Sequence, residues 1–456
     1  MRKNIENDRG FCYNPLRLGQ GGGSLENIAK PTKQQLDWHE LELGVLIHYC
    51  LEMYRPELPG EWYKTAVVRE ALAPETIHPT KLDPEQWVRC AALLGAKYAV
   101  LVAKHTTGFA LWDTKVNDFS IAHTDWRGGG GDVCRAFVDA CVKYGLKPGF
   151  YYTTVCNGYY DINNSVPQDT RGEAYRPYVK CVEAQVQELW SNYGPLVEIW
   201  FDGGVIPPEE GGPDLLPLLQ KYQPDAICFQ GPRAWPHNVR WVGNEDGLAP
   251  ENCWATTNAG EARFDGTAPD EQAGVGDPDG KYYWPAETDM PNRTHAAFGG
   301  GWSWQPNEEH LRYTPEQLLD CYIRSVGRNS NLLLGMAISR DGDFQDEAQF
   351  RDFGNLIRET FSNPKRQIDR PVLTDDRCEI RFDTPQTVRY LVLREDIRDG
   401  QHIRGFRILA DGKQVYESAC VGHKRIVPFD NLTAKTIAVE ITNAAGRPVL
   451  RDIAVF

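Results

Sequence analysis

Residues 175–202, YRPYVKCVEAQVQELWSNYGPLVEIWFD, carry the pattern that decides the fold. Apolar side chains recur at three- and four-residue spacing from Tyr178 to Trp190, which predicts an amphipathic helix with one buried stripe. The run 195–202 then predicts a short buried strand that ends in a carboxylate, Asp202. A helix followed by a strand is the repeating unit of parallel α/β sheets.

The same alternation recurs about eight times along the chain, which predicts a closed (β/α)₈ barrel with insertions. Candidate strands cover residues 44–49, 97–105, 147–153, 197–202, 226–230, 239–245, 282–287 and 331–337. Between residues 252 and 281 the chain is rich in Gly, Asp, Ala and Pro without periodicity, so a long loop at the barrel mouth is expected there.

A change of pattern marks a second domain. Asn363-Pro364 interrupts the last helical segment, and short strand-like runs separated by turn residues follow it. Residues 435–441 alternate like a half-buried strand, whereas residues 389–394 form a short apolar run between charges. We predict a catalytic barrel over residues 1–362 and a C-terminal β-sandwich over residues 363–456.

Composition excludes several partners. The formal net charge of -14 in 456 residues opposes nucleic-acid binding. No apolar run is long enough to span a membrane. The twelve cysteines form no Cys-x-x-Cys pair, and neither a metal site, a phosphate-binding loop nor a cofactor site is expected. Reduced, buried cysteines favour a cytoplasmic enzyme, with a secreted or periplasmic one lacking its signal peptide as the alternative.

Polar residues that end the predicted strands are the candidates for chemistry, because the active sites of parallel barrels lie at the carboxyl ends of their strands. These residues are His48, His105, Tyr151, Asp202, Glu245 and Glu287. Cleavage of a glycosidic bond typically needs two carboxyl groups, and Asp202 and Glu245 end strands separated by one other strand. The sequence therefore predicts a glycoside hydrolase.

Several motifs resemble those of the α-L-fucosidases of glycoside hydrolase family 29. They are Leu43 to His48, Gly60-Glu61-Trp62-Tyr63, the run from Gly95 to Trp112, Gly149-Phe150-Tyr151-Tyr152 and Trp200-Phe201-Asp202-Gly203-Gly204. The segments 240–247, 285–289 and 325–334 are similar to the branch that acts on α-1,3 and α-1,4 linkages.

This resemblance implies a retaining exo-enzyme that releases terminal α-L-fucose from fucosylated oligosaccharides or glycoconjugates without a cofactor or metal. It makes Asp202 the nucleophile and Glu245 the acid/base, with Glu287 in reserve. The implied sugar-binding residues are His48, Glu61, Trp62, His105, Thr106, Tyr151 and Trp200.

Two departures from the family pattern affect the sugar pocket. Thr106 stands where the family has a second His, and Thr107 stands where it has an Asp. A pocket altered in this way could accept α-L-galactose, which carries one more hydroxyl than α-L-fucose. An α-L-galactosidase and a noncatalytic sugar-binding protein are the alternative functions.

Overall fold

The structure of the protein is a computed structural model, and it describes residues 28–58, 65–162, 175–258 and 274–456. Over these ranges, strands and helices alternate up to residue 361, and strands dominate after it. None of the helices in the described ranges has the length and apolar character needed to cross a membrane.

Eight parallel strands close a barrel in the order β1-β10-β9-β6-β5-β4-β3-β2, and two short strands form a separate antiparallel sheet. Their bounds are β1 Leu43–His48, β2 Tyr98–Lys104, β3 Lys147–Tyr152, β4 Glu198–Trp200, β5 Ile227–Phe229, β6 Asn238–Trp241, β7 Thr256–Thr257, β8 Tyr282–Tyr283, β9 Ala286–Met290 and β10 Ser330–Ala337.

Helices surround the barrel and cover one end of it. They are α1 Lys33–His39, α2 Thr65–Ala71, α3 Pro84–Leu94, α4 Val133–Tyr144, α5 Arg176–Asn192, α6 Leu216–Tyr222, α7 Pro315–Ser325 and α8 Glu347–Phe361. Local sequence sets their ends: Asp83 caps the first turn of α3, and Gly95 ends it in the left-handed conformation that glycine adopts without strain.

Two of the predicted strands differ from those observed. The seventh predicted strand, 282–287, joins two elements: Tyr282–Tyr283 pairs antiparallel with β7 outside the barrel, and the barrel strand begins at Ala286. The strand predicted over 239–245 ends at Trp241, because Gly243 takes a left-handed backbone conformation that a strand cannot continue.

Two layers of buried side chains surround the barrel strands. Those pointing outward pack against the helices in one large apolar cluster. Those pointing inward fill the barrel and include Tyr98, Tyr151, Trp200 and Phe229, while Trp38 of α1 belongs to the same inner cluster. The barrel is thus a packed core whose functional surface lies at its rim.

Six antiparallel strands form the C-terminal part, in the order β11-β16-β12-β15-β13-β14. They are β11 Arg366–Asp369, β12 Arg377–Glu395, β13 Ile403–Ala410, β14 Lys413–Ser418, β15 Arg425–Ala444 and β16 Leu450–Val455. Strands β12 and β15 pair along both halves of their length across register shifts. Residues from both halves share one apolar core, so the sheet folds over into two layers. The predicted fold class, a (β/α)₈ barrel followed by a small β-sandwich, is confirmed.

Candidate active site

A cavity of about 180 Å³ opens at the carboxyl ends of the barrel strands. This volume is below the range of about 300–1,000 Å³ typical of sites for drug-sized ligands, and it suits a single sugar ring. It is lined by Leu46, His48, Glu52, His105, Thr106, Tyr151, Trp200, Asp202, Glu245, Asp289, Gly299, Trp302 and Ser303. Seven of the residues predicted from the sequence are in this wall: His48, His105, Thr106, Tyr151, Trp200, Asp202 and Glu245.

Asp202 lies just beyond β4 and is held in a defined orientation. The hydroxyl of Tyr151 donates a hydrogen bond to Asp202 Oδ2 at 2.7 Å. Burial, and then the Asp202 carboxylate, raise the pKa of Tyr151 well above its ordinary value, so this hydroxyl stays a donor at neutral pH. Gly203 and Gly204 follow with φ of 76° and 74°, a left-handed turn that favours glycine and directs the chain away from the cavity.

Glu245 lies on the loop after β6 and is exposed at the cavity mouth. Trp302 donates a hydrogen bond from Nε1 to Glu245 Oε2 at 3.0 Å. The Trp302 ring packs against β10 at Gly335, where a Cβ would come within 2.8 Å of the ring. Because Gly335 has no side chain, the Trp302 indole has room to lie within hydrogen-bond distance of Glu245.

His48 is a hydrogen-bond acceptor in this wall. Burial, and secondly the nearby His105, lower the pKa of His48 to about 3, so its ring is neutral. Its Nδ1 lies 3.3 Å from the carbonyl oxygen of Leu46. Because a carbonyl oxygen only accepts, Nδ1 carries the proton and Nε2 is left as an acceptor for a hydroxyl group.

His105 has the opposite character. Its Nδ1 lies 2.5 Å from Glu52 Oε1, and the Thr106 hydroxyl donates to the same oxygen at 2.9 Å. Burial alone would lower the pKa of His105, but Cys50 and the Glu52 carboxylate together hold it well above its ordinary value. A charged His105 is a donor only, so the wall offers an acceptor at His48 and a donor at His105.

Asp289 brings a fourth carboxyl group to the cavity, beside Glu52, Asp202 and Glu245. It ends the sequence Glu287-Thr288-Asp289 on β9 and accepts a hydrogen bond from Trp241 Nε1 at 2.5 Å. Burial raises the pKa of Asp289 well above its ordinary value. Its side chain therefore keeps its proton to a higher pH than an exposed aspartate does.

Glu287 does not line the cavity. It is fully buried in the barrel interior, where Trp200 Nε1 donates to its Oε2 at 3.0 Å and the Tyr98 hydroxyl donates to its Oε1 at 2.8 Å. Strand alternation explains its position: Glu287 and Asp289 point into the barrel two residues apart, and only Asp289 is close enough to the rim.

Comparison with known proteins gives the family of the chain. The family model for α-L-fucosidases matches residues 24–356. The chain belongs to the α-L-fucosidase family. It is 27% identical to α-L-fucosidase 1 of Arabidopsis thaliana over 93% of this chain and 87% of that protein.

Solved structures agree with this assignment. A Bacteroides thetaiotaomicron protein assigned as an α-L-fucosidase is 31% identical, with a TM-score of 0.83 over 94% of this chain and 99% of the other. A glycoside hydrolase 29 family member from an unknown rumen bacterium is 27% identical, with a TM-score of 0.78 over 94% and 77% of the two chains. The resemblance to glycoside hydrolase family 29 is confirmed, and the chain is a glycoside hydrolase of the α-L-fucosidase type.

Among the sugar-binding residues predicted from the fucosidase motifs, Glu61 and Trp62 lie outside the described residues. Sequence reasoning missed Glu52 and Asp289. Glu52 follows β1 by four residues in the turn Leu51–Tyr54, and Asp289 lies two residues after a predicted site residue. Both are acids just past a strand-like run, which is the signal that could have identified them.

A larger groove of about 780 Å³ lies between the barrel and the sandwich of this α-L-fucosidase family member. Its wall contains none of the predicted site residues. Charged side chains in it pair with one another, as Arg425 does with Glu251 at 3.0 Å. The rim cavity is therefore the candidate active site.

Proposed function

We propose that the protein is a retaining exo-α-L-fucosidase that releases terminal fucose from fucosylated oligosaccharides or glycoconjugates. The observation that carries this proposal is the rim cavity of single-sugar size that has Asp202 and Glu245 in its wall. Two carboxyl groups beside one sugar site are the requirement for double displacement.

In the proposed reaction, the Asp202 carboxylate attacks the anomeric carbon while Glu245 gives its proton to the glycosidic oxygen. The bond between that carbon and oxygen breaks, and the aglycone leaves as an alcohol. Glu245 then takes a proton from water, the resulting hydroxide attacks the anomeric carbon, and Asp202 is released. Two inversions at one carbon retain the configuration.

The roles of the two carboxyl groups follow from their surroundings. Asp202 is fixed by Tyr151 on the strand side of the cavity, as a nucleophile must be to approach one carbon. Glu245 is exposed at the mouth, where the aglycone departs. The likeness of the segment 240–247 to the α-1,3/1,4-acting branch supports α-1,3 or α-1,4 linkages as the substrate.

Substitution of each carboxyl group tests these roles. Asp202→Ala should lower kcat/KM for 4-nitrophenyl α-L-fucoside by about 10⁴-fold or more. Glu245→Gln should lower it by about 10²–10⁴-fold for a natural glycan but less for the nitrophenyl substrate, whose leaving group needs little protonation. Azide should restore turnover of Glu245→Gln and yield a glycosyl azide with the configuration of the substrate. An Asp202→Ala variant that retains activity would contradict the proposal.

A second glycone, α-L-galactose, is favoured by one observation. Thr106 and Glu52 form a hydroxyl–carboxylate pair in the sugar wall, where a polar group could bind an additional hydroxyl. Purified protein should be given matched nitrophenyl α-L-fucoside and α-L-galactoside, with Lewis-type α-1,3/1,4 and α-1,2-linked glycans alongside. A higher kcat/KM for the galactoside would make the protein an α-L-galactosidase, and binding of the sugars without release would make it a noncatalytic sugar-binding protein.

A further inference from the structure

Cys50, Glu52 and His105 bring a thiol, a carboxylate and an imidazole together beside the sugar cavity. One sulfur, one oxygen and one nitrogen atom of these residues all lie within 4.8 Å of one another. Thiolate, imidazole and carboxylate are the three ligand types that bind Zn²⁺ in proteins. Residues 50 and 105 follow two adjacent strands, β1 and β2, so spacing along the sequence gave no sign of this cluster.

The cluster is buried, which distinguishes it from the groups of acidic residues that are common on protein surfaces. Cys50 and Glu52 are 4% and 3% exposed. Glu52 Oε1 is used by His105 and Thr106, but Glu52 Oε2 is buried without a hydrogen-bond partner. A buried, unpartnered carboxylate oxygen is costly unless a ligand binds to it.

We propose that Cys50, Glu52 and His105 form a binding site for a thiophilic divalent cation, with Zn²⁺ as the test ion. A tetrahedral Zn²⁺ needs ligand atoms roughly 3.4–3.8 Å apart, as its bond lengths of about 2.0–2.3 Å require. Glu52 Oε1 and His105 Nδ1, which lie 2.5 Å apart, must separate to this spacing. Binding of the ion releases one proton from the Cys50 thiol and one from the charged His105 ring to solvent. A water molecule or the Thr106 hydroxyl completes the fourth position.

The ion reaches the site through the sugar cavity, since Glu52 and His105 both line it. Bound there, it takes His105 and Glu52 away from the sugar hydroxyls. Zn²⁺ and sugar therefore exclude each other, and Zn²⁺ is a competitive inhibitor. The metal site itself is independent of the proposed function, whereas the inhibition rests on it.

Metal binding is tested first without any activity measurement. The full chain, freed of metal with a chelator, is titrated with Zn²⁺ by calorimetry and with Co²⁺ by absorption spectroscopy. We expect one ion per chain and a sulfur-to-cobalt charge-transfer band. Cys50→Ser should remove the band and weaken Zn²⁺ binding by at least about 10–100-fold, the loss that even outer-shell substitutions cause.

Cys321→Ser is the matched control, because Cys321 is the one half-exposed cysteine among the described residues. It should leave the cobalt band and the affinity unchanged. A band that survives Cys50→Ser, or no binding in the wild type at millimolar Zn²⁺, overturns the metal site. Glu52→Gln, which keeps an acceptor for Thr106, should weaken Zn²⁺ binding as well.

Inhibition is then measured with 4-nitrophenyl α-L-fucoside. Zn²⁺ should raise KM without changing kcat, and free L-fucose should suppress the cobalt band. Zn²⁺ bound at Cys50 that leaves KM unchanged overturns the competition but not the site. Hydrolysis of neither nitrophenyl glycoside would refute the proposed function, while the calorimetric test of the metal site would still stand.

Discussion

At the scale of single residues, the rim contains more carboxyl groups than double displacement needs. Asp289 is buried and accepts a hydrogen bond from Trp241, whereas Glu245 is exposed at the mouth of the cavity. A proton donor to the departing oxygen must face the aglycone, which favours Glu245. We then expect Asp289 to be a positioning residue that accepts the hydrogen bond of Trp241.

Substituting Asp289 distinguishes it from Glu245. Asn resembles a protonated Asp, so Asp289→Asn should lower kcat/KM on a natural glycan by no more than about tenfold, against about 10²–10⁴-fold for Glu245→Gln. Asp289→Ala should lower kcat/KM further than Asp289→Asn does, because Trp241 loses its hydrogen-bond acceptor. If Asp289→Asn proves the more harmful of the two isosteric changes, Asp289 is the acid/base.

A pair of acids lies deeper in the barrel. Glu198 of β4 and Glu287 of β9 are fully buried and close enough to raise the pKa of Glu198, and Trp38 Nε1 donates to Glu198 at 3.3 Å. Burial raises the pKa of Glu287 to about 7, and burial together with Glu287 raises the pKa of Glu198 well above its ordinary value. As the pH rises, the unfolded chain therefore loses the protons of these two carboxyl groups first, and the folded protein keeps them to a higher pH.

This pair makes stability depend on pH. A raised folded-state pKa contributes stability that is complete below the unfolded pKa of about 4.5 and is lost as pH rises through 7. Denaturant unfolding at pH 5 and pH 8 should show a decrease of up to about 3 kcal/mol from Glu287. Glu198→Gln should reduce this decrease, because Gln donates to Glu287 without a titrating proton.

Glu198→Ala is the companion variant. It leaves a cavity and an unpartnered Trp38, so it should be less stable than Glu198→Gln at both pH values. An equal pH dependence in wild type and Glu198→Gln would show that the two acids are ionised independently.

At the scale of elements, sequence patterns predicted most of the barrel because buried parallel strands are continuous apolar runs with polar ends. His48, His105 and Tyr151 could be found this way, since each lies within one residue of the end of its strand. Glu52 and Asp289 were missed although both follow a predicted strand-like run, because nothing local indicates which residue of a following turn or which side of a strand faces a cavity.

Two boundaries were wrong for a similar reason. The aromatic residues Tyr282 and Tyr283 have high strand propensity, yet they pair with β7 outside the barrel, which only the tertiary fold determines. Glu245 was assigned to a strand end, but Gly243 ends the extended conformation first. Its presence at the rim depends on Trp302, whose contact with Glu245 spans 57 residues of sequence.

Strand β10 offers a test of that contact. A methyl group at position 335 would lie 2.8 Å from the Trp302 ring and 2.9 Å from Pro291 Cα. Gly335→Ala should cost about 1–3 kcal/mol of stability and displace Trp302 from Glu245. Activity on natural glycans should fall, as should that of Trp302→Phe, which loses the indole donor together with part of the ring.

Gly130→Ala is the control for Gly335→Ala, since a Cβ at position 130 has no atom within 4 Å. It should change neither melting temperature nor kcat/KM. Trp302→Phe should match Gly335→Ala in activity but keep more stability, because it introduces no clash. Full activity in both variants would show that Glu245 does not need Trp302.

At the scale of the whole molecule, the sandwich contacts the end of the barrel opposite the rim. Glu42 precedes β1 and Asn329 precedes β10, so both lie at the amino ends of strands. Lys424 donates to Glu42 at 2.6 Å, and the backbone N–H of His423 donates to Asn329 at 2.7 Å. These contacts favour a bracing role for the sandwich.

The pair Glu42 and Lys424 should account for much of this bracing. Burial opposes ionisation of Glu42, but Lys424 and its neighbours lower the Glu42 pKa from 4.5 to about 2. Stability from this depressed pKa is present above about pH 4.5 and is lost as pH falls toward 2. Lys424 is charged in both the folded and the unfolded protein between pH 2 and pH 4.5. Its own ionisation therefore does not change the free energy of unfolding over this range.

Removing one partner should cost more than removing both. Lys424→Met leaves a largely buried carboxylate with the more distant Arg394 at 3.7 Å and the Tyr322 hydroxyl as its partners, and should destabilise the protein by up to about 3 kcal/mol at pH 7, measured by denaturant unfolding. The double variant Glu42→Gln/Lys424→Met should recover most of that loss. Because Glu42 becomes protonated in acid, the difference between wild type and Lys424→Met should shrink from pH 7 to pH 3. A difference that stays constant over this range would mean that the stabilisation by Lys424 does not depend on the ionisation of Glu42.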